Sequence, residues 1–241
     1  MRGATLTCAL VVAALAVPAA NAQVSLGEAC PGEHAIGGPG LAYAAFADGR
    51  VQARTSPRGK VVRSFGRRNP NGVRTVFGVA SVVLDRMCQP LGYEVQLPIR
   101  PNGSTGFVSR RSVDLRPVRT RVEVDLAAHR LTLYRDGQRV LTTAIGIGAE
   151  YTPTPTGSYY VNQMLRADHP GGAYGPGAIG ISAYSPTLRD WDQGGPIAIH
   201  GTNAPSSVGR SVSHGCIRVH NAVLIRLYRI VRPGSPVVVH A

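Results

Sequence analysis

Two tight-turn dipeptides constrain this chain most. Asp136-Gly137 lies between RLTLYR (130–135) and QRVLTTAI (138–145), and Asn102-Gly103 lies between GYEVQLPI (92–99) and the returning Phe107-Val108. Asn-Gly and Asp-Gly tolerate the positive φ that hairpin turns require, so alternating apolar runs on either side read as paired antiparallel strands. In RVEVDL (121–126), Val122, Val124 and Leu126 fall on one face, and Leu131 and Leu133 do the same in the next run. VRTVFGVASVVL (73–84), the end of TPTPTGSYYV (152–161), GPIAIHG (195–201) and SPVVVH (235–240) add further short apolar runs. The 29 Gly and 18 Pro residues punctuate these runs, which makes the expected fold class mainly β. One helix is expected near the end. Asn221 is a good N-cap, Leu224, Leu227, Tyr228 and Val231 recur at helical spacing, Arg226, Arg229 and Arg232 face the other way, and Pro233-Gly234 stops it.

The chain divides by composition. MRGATLTCALVVAALAVPAANAQ opens with one arginine and an apolar run and closes on Ala20-Asn21-Ala22. It reads as a signal peptide, residues 1–22, cleaved to leave an exported protein that starts near Gln23; an N-terminal anchor that stays uncleaved is the alternative. No later stretch reaches the roughly 18 apolar residues of a spanning helix, so no stable membrane span is expected after cleavage. Residues 23–41 are rich in Gly and Pro and read as a linker or loosely attached arm. Short strands over 42–117 suggest a small barrel. A seam follows at LRPVRTR (115–121), after which a fresh sheet begins, giving a second domain over 118–241. Within it, RADHPGGAYGPGAIGISAYSP (166–186) is glycine-rich and weakly periodic and reads as one long loop.

The formal net charge is +13, carried almost wholly by arginine; Lys60 is the lone lysine. Most of these arginines read as solvated surface residues. The functional alternative is attraction to a polyanion, which for an exported protein means anionic wall polymers and peptide carboxylates. No helix sets basic residues beside base-stacking aromatics, so nucleic acid is not an expected partner.

Cysteine arithmetic isolates one thiol. Cys8 leaves with the signal, and Cys30, Cys88 and Cys216 remain. An odd number in an oxidising compartment flags a free thiol. Counting offers Cys30 and Cys88 as a pair that would tie the N-terminus to the first domain and leave Cys216 over. Cys216 sits in SVSHGCIRVHN (211–221). Acting as a nucleophile, it needs a base or cation to supply thiolate. His214, two residues away on extended backbone, is poorly placed for a close side-chain hydrogen bond. His200, at the end of another strand, is the better base. Gly215 lets substrate approach the backbone, and the amides of His214, Gly215 and Cys216 are candidates for an oxyanion site. Arg218 would hold a carboxylate if it faces the cleft. Two plainer readings stay open: Cys216 as a small buried hydrophobe, and zinc held by His200, His214, Cys216 and His220, although spacings of fourteen, two and four match no usual structural zinc pattern.

HG at 200–201 followed by SHGCIRVHN at 213–221 closely resembles the L,D-transpeptidase catalytic signature of YkuD-type domains. VDLAAHRLTLYRDGQRV resembles the family's opening hairpin, TPTPTG its proline-threonine turn and GPIAIHGT its base-bearing strand, over about residues 120–241. The resemblance implies a β-sandwich or barrel catalytic domain with a short C-terminal helix and no cofactor or metal. It implies an enzyme of cell-wall biogenesis and cell shape. Cys216 would attack the L,D carbonyl of a donor tetrapeptide, release D-alanine and pass the acyl group to an acceptor amine as a 3→3 cross-link. His200 would be general base and acid, oriented by the Gly201 carbonyl. His214 and Gly215 would line the oxyanion region. Ser213, Arg218, Asn221, Tyr174 and Tyr184 would contact substrate, the tyrosines from a lid over 166–186. Carbapenems are implied as acylating inhibitors. Hydrolysis, or attachment of a protein to the wall, uses the same chemistry with another acceptor; a non-catalytic wall-binding protein is the alternative from another class. VQARTSPRGKVV and GYEVQLP…GSTGFVSRRSVDL resemble a bacterial SH3-like module, implying wall binding or a packing spacer over 42–117.

Overall fold

The computed structural model describes residues 30–241. The expected signal segment, 1–22, and residues 23–29 of the arm lie outside the described residues. The first strands are β1 (Gly32–Ala35), β2 (Ala42–Ala47), β3 (Val51–Arg54), β4 (Val61–Phe65), β5 (Val76–Leu84), β6 (Pro90–Gln96), β7 (Thr105–Ser109) and β8 (Val113–Val118). They form one sheet in the order β4-β3-β7-β6-β5-β2-β8, with β1 added to β5. After a break at Arg119 come β9 (Thr120–Asp125), β10 (Arg130–Arg135), β11 (Gln138–Ala144), β12 (Ile147–Gly148), β13 (Gly157–Arg166), β14 (Gly177–Tyr184), β15 (Pro196–His200), β16 (Ser211–Ser213), β17 (Ile217–Arg218), α1 (Asn221–Ile230) and β18 (Pro236–His240). The second sheet runs β11-β10-β9-β18-β13-β14-β15-β17, and β12 pairs separately with β16.

The fold is mainly β, with one α-helix among the described residues. The strongest sequence patterns become the strands that close its core. Val122, Val124, Leu131 and Leu133 are fully buried and join one cluster with Ile179, Ile199, Ile217, Leu224 and Leu227. Each such side chain contributes about 1.5–3 kcal/mol relative to exposure. At the β10–β11 turn, Asp136 and Gly137 both have positive φ, 51° and 78°. Asn102-Gly103 differs. Of that pair only Gly103 has positive φ, at 83°, and Ser104 N–H donates to Pro101 O to close the turn. The Asn102 side chain is used elsewhere, as described below.

Three sequence expectations change. The stretch read as a loose arm is fastened twice: β1 pairs antiparallel with β5 over Ser81–Leu84, and Cys30 is disulfide-bonded to Cys88. The stretch 166–186 is not one long loop, because Gly177–Tyr184 is the strand β14, between β13 and β15. That strand is buried over most of its length on both faces, so it lacks the period-2 alternation of a half-buried strand. The loop proper is confined to 167–176. Asn221 is the first helical residue rather than the cap; the cap position is His220, with no side-chain capping bond.

The two sheets are joined through a buried seam. Tyr160 of β13, 1% exposed, packs with Ala44, Val76 and Val118 of the first sheet. A Cβ on Gly78 would stand 2.9 Å from the Tyr160 ring, so glycine there makes room for it. Around this contact the Asn102 side chain exchanges two hydrogen bonds with the Tyr184 main chain, each 2.9 Å. Tyr184 Oη donates to Pro98 O, and Arg100 donates to the carbonyls of Ser185 and Gly194.

The Tyr160 hydroxyl is buried without a hydrogen-bond partner. An unpaired buried hydroxyl costs about 1–3 kcal/mol. Tyr160→Phe is therefore expected to leave stability unchanged or to raise it by about 1 kcal/mol in urea denaturation; a loss above that size would show that the hydroxyl is paired.

Candidate active site

The site is assembled where β15 meets β17. These strands pair in parallel with Ile199 opposite Ile217 and His200 opposite Arg218, while β14 flanks β15 on its other side. Ile197 and Ile199 are each 1% exposed and anchor β15 in the core. The strand thereby delivers His200, itself buried, at its end. His200 Nδ1 donates to Gly201 O at 2.5 Å. A carbonyl only accepts, so Nδ1 carries the proton and Nε2 is left with its lone pair. Burial is the main reason that His200 titrates at about 4, below its usual 6.5; the Gly201 bond opposes the shift, and the Arg218 charge adds to it. The ring is neutral and able to take a proton at physiological pH.

Cys216 leads into β17 from a loop whose shape is set by glycine and hydroxyls. Gly215 has φ +105°, a conformation L side chains rarely adopt. Ser213 Oγ donates to Cys216 O at 2.6 Å and accepts from Gly215 N–H at 3.1 Å. Thr154 Oγ1 donates to Gly215 O, and Thr152 Oγ1 to Ser213 O, both at 2.9 Å. The alternating Thr-Pro of 152–155 is thus a clamp on the cysteine loop. Burial pushes the Cys216 thiol up; an N–H of Ala198 and the Arg218 charge pull it partly back. Burial is the larger effect, so the thiol and the imidazole are each neutral at rest.

A cleft of about 690 Å³ opens over these residues. Cys216, His214, Tyr174, Trp191, Gln163 and Asn71 are among its lining. The Tyr174 ring lies 4.8 Å from that of His200, and Tyr174 lines the cleft together with Cys216. His214 stacks on Trp191 at 5.1 Å and forms part of the wall.

Cys216, His214 and Tyr174 line the cleft; His200 stands against Tyr174 and bonds Gly201, Gly215 shapes the cysteine loop, and a polar neighbour of the Cys216 sulfur is Pro196 O at 4.0 Å. Four other expected substrate contacts, Ser213, Asn221, Tyr184 and Arg218, either bond within the protein or lie outside the cleft lining. The Ser213 hydroxyl is consumed in holding the loop, and the Gly215 amide that it accepts is not available to an oxyanion. Asn221 Oδ1 accepts Thr202 N–H at 2.8 Å, locking the helix start to the turn after His200. Tyr184 belongs to the seam between sheets and does not line the cleft. Arg218 is also absent from the lining; its Nε is buried without a partner, and it reaches the thiol through its charge. Among the described residues, no three or more His, Cys, Asp or Glu side chains gather as a metal would require.

Sequence reading missed Trp191, Gln163, Gln193 and Asn71. Trp191 carried a signal: it is the one tryptophan of the chain, set in a polar loop and half exposed. Asn71 carried none, since it comes from the first sheet's side of the molecule.

A family model of the L,D-transpeptidase catalytic domain (YkuD) matches residues 119–239. The candidate L,D-transpeptidase YkuD of Bacillus subtilis is 38% identical over 119 residues, which are 49% of this chain and 65% of that protein. Its namesake in Bacillus licheniformis is 38% identical over 117 residues, 48% of this chain and 63% of the relative. The chain thus spans slightly less than two thirds of the length of these relatives. A crystal structure of a mutant Enterococcus faecium L,D-transpeptidase is similar at 29% identity, covering 50% of this chain and 49% of that one, with a TM-score of 0.38.

The thiol and imidazole directions give a pH signature. Alkylation of Cys216 by iodoacetamide is expected to be slow between pH 5 and 7 and to rise about tenfold per unit until past the ordinary thiol pKa of about 8.5. A rate already on a plateau between pH 5 and 7 would reveal a thiolate–imidazolium pair and contradict the burial argument.

Proposed function

The chain belongs to the YkuD L,D-transpeptidase catalytic domain family, and on that premise we propose that it cross-links peptidoglycan stem peptides through an acyl-enzyme on Cys216. The observation that carries this reading is a free thiol on the wall of a peptide-sized cleft, leading into the strand that pairs with the one ending in His200, a buried histidine whose Nδ1 is bound to Gly201 O and whose Nε2 keeps its lone pair.

His200 Nε2 takes the proton from Cys216 Sγ as the sulfur attacks the L,D carbonyl of a donor tetrapeptide. General-base help of this kind is worth roughly 10²–10⁴-fold, and a neutral thiol needs it. The Gly201 carbonyl holds the imidazole in the tautomer that exposes Nε2 and supports the imidazolium when it forms, the part a carboxylate plays in the serine triad. The Arg218 charge favours the developing negative charge near the sulfur. As the tetrahedral intermediate collapses, the proton on His200 passes to the leaving nitrogen. D-alanine departs and a thioester remains. An acceptor amine then attacks, His200 removes its proton, and the thiol is regenerated with a 3→3 cross-link formed. Carbapenem rings present a strained carbonyl to the same sulfur and are proposed as acylating inhibitors.

The enzyme is read as exported, acting in the periplasm or at the wall, with the first sheet as an SH3-like module that positions the catalytic domain. Carboxypeptidase or hydrolase action differs only in the acceptor, water in place of an amine.

With purified disaccharide tetrapeptide, mass spectrometry is expected to show cross-linked dimers and released D-alanine. Cys216→Ala and His200→Gln are each expected to lower the rate by at least about 10²-fold with the fold retained. Tripeptide without dimers would replace the transferase reading by the hydrolytic one. Full turnover by Cys216→Ala would remove the nucleophile from the account.

A further inference from the structure

The cleft is completed by the other half of the molecule. Asn71 lies on the β4–β5 connection, in the segment RRNPNGVR (67–74), yet it lines the cleft together with Cys216. Its placement is built rather than incidental. Asn69 Oδ1 accepts the main-chain N–H groups of Asn71 and Val73, at 3.0 and 3.2 Å, and so fixes the turn. Asn69 Nδ2 and Asn71 Nδ2 both donate to Gln163 Oε1 at 2.8 Å. Asn71 and Gln193 exchange two further bonds, Nδ2 to Oε1 at 3.3 Å and Nε2 to Oδ1 at 3.0 Å. Four carboxamides from the first sheet's loop, from β13 and from the Trp191 loop thus form one connected wall.

This wall leaves a directed donor. With two donors on its oxygen, the orientation of the buried Gln163 amide is settled, and its Nε2 group donates to nothing among the described residues. A Cβ on Gly180 would stand 2.6 Å from Gln163 Cγ and 2.9 Å from Nε2; Gly180 itself lines the cleft. The missing side chain therefore gives Gln163 its place and keeps the space beside its amide open. Neutral carboxamides fit the main-chain amides of a peptide, pairing donor with carbonyl and acceptor with N–H, and carry no charge that would need a counterion.

We propose that Gln163, held by Asn71 of the first sheet's loop, forms a subsite that grips a main-chain amide of the donor stem peptide, so that the N-terminal sheet takes part in substrate selection. The proposal rests on the transpeptidase reading. Asn71 is a positioning residue within it, acting through Gln163.

The test is steady-state release of D-alanine from disaccharide tetrapeptide by the full-length mature enzyme and by Asn71→Ala, with iodoacetamide alkylation of Cys216 in parallel. Asn71 is half-buried on a loop, and circular dichroism confirms that the variant folds. Loss of one neutral hydrogen-bonding partner is expected to raise KM about five- to tenfold, with the alkylation rate within twofold of wild type. Asn71→Gln is expected to recover part of the loss. A KM within twofold of wild type would overturn the subsite. So would an equal fall in alkylation, which would mean that the loop shapes the cysteine site as a whole. Wild-type enzyme that releases no D-alanine would instead defeat the transpeptidase reading, and the subsite with it.

Discussion

Two residues of parallel pairing, Ile199 with Ile217 and His200 with Arg218, decide where the chemistry is. Each isoleucine is almost completely buried in the second sheet's core. Each is followed or preceded by a functional residue, His200 after one and Cys216 before the other. The core therefore sets the relation of His200 to Cys216, and a one-residue slip would turn every side chain of β15 to the opposite face. The loop hydroxyls and the Asn221 contact work on the same pairing from its two ends. Ser213, Thr152 and Thr154 hold the approach to Cys216, and Asn221 holds the turn that follows His200.

Burial has two consequences at this site. It stabilises the scaffold, and it keeps both reacting groups uncharged at rest, lowering His200 and raising Cys216. A neutral pair does not waste thiolate on solvent or adventitious electrophiles, but it requires proton transfer to accompany attack. The Gly201 carbonyl serves that requirement because it fixes which ring nitrogen is bare. The Arg218 guanidinium acts in the same direction on both groups, favouring the thiolate and disfavouring the imidazolium.

Much of this was legible in the sequence wherever one face of an element is buried and the other wet. Val122 and Val124, Leu131 and Leu133, and the Leu224–Leu227 stripe all show their period because water lies opposite. β14 was misread as loop because it is buried on both faces and made largely of small residues, so no alternation marks it. Cys216 and His200, the proposed nucleophile and base, stood out through residue type and spacing. The roles of Ser213, Asn221 and Tyr184 were not, since a polar side chain near a site has the same sequence signature whether it binds substrate or main chain. Asn71 was beyond reach for a different reason: its contact with Gln163 spans 92 residues and depends on how two sheets pack through Tyr160.

The central claim is that Cys216 carries the acyl group. Intact-mass measurement of the enzyme after brief incubation with donor tetrapeptide, quenched in acid, tests it most directly. The account predicts one adduct equal to the donor less D-alanine, mapped by peptide digestion to Cys216 and absent from Cys216→Ala. D-alanine release with no adduct on that residue, or an adduct elsewhere, would contradict it.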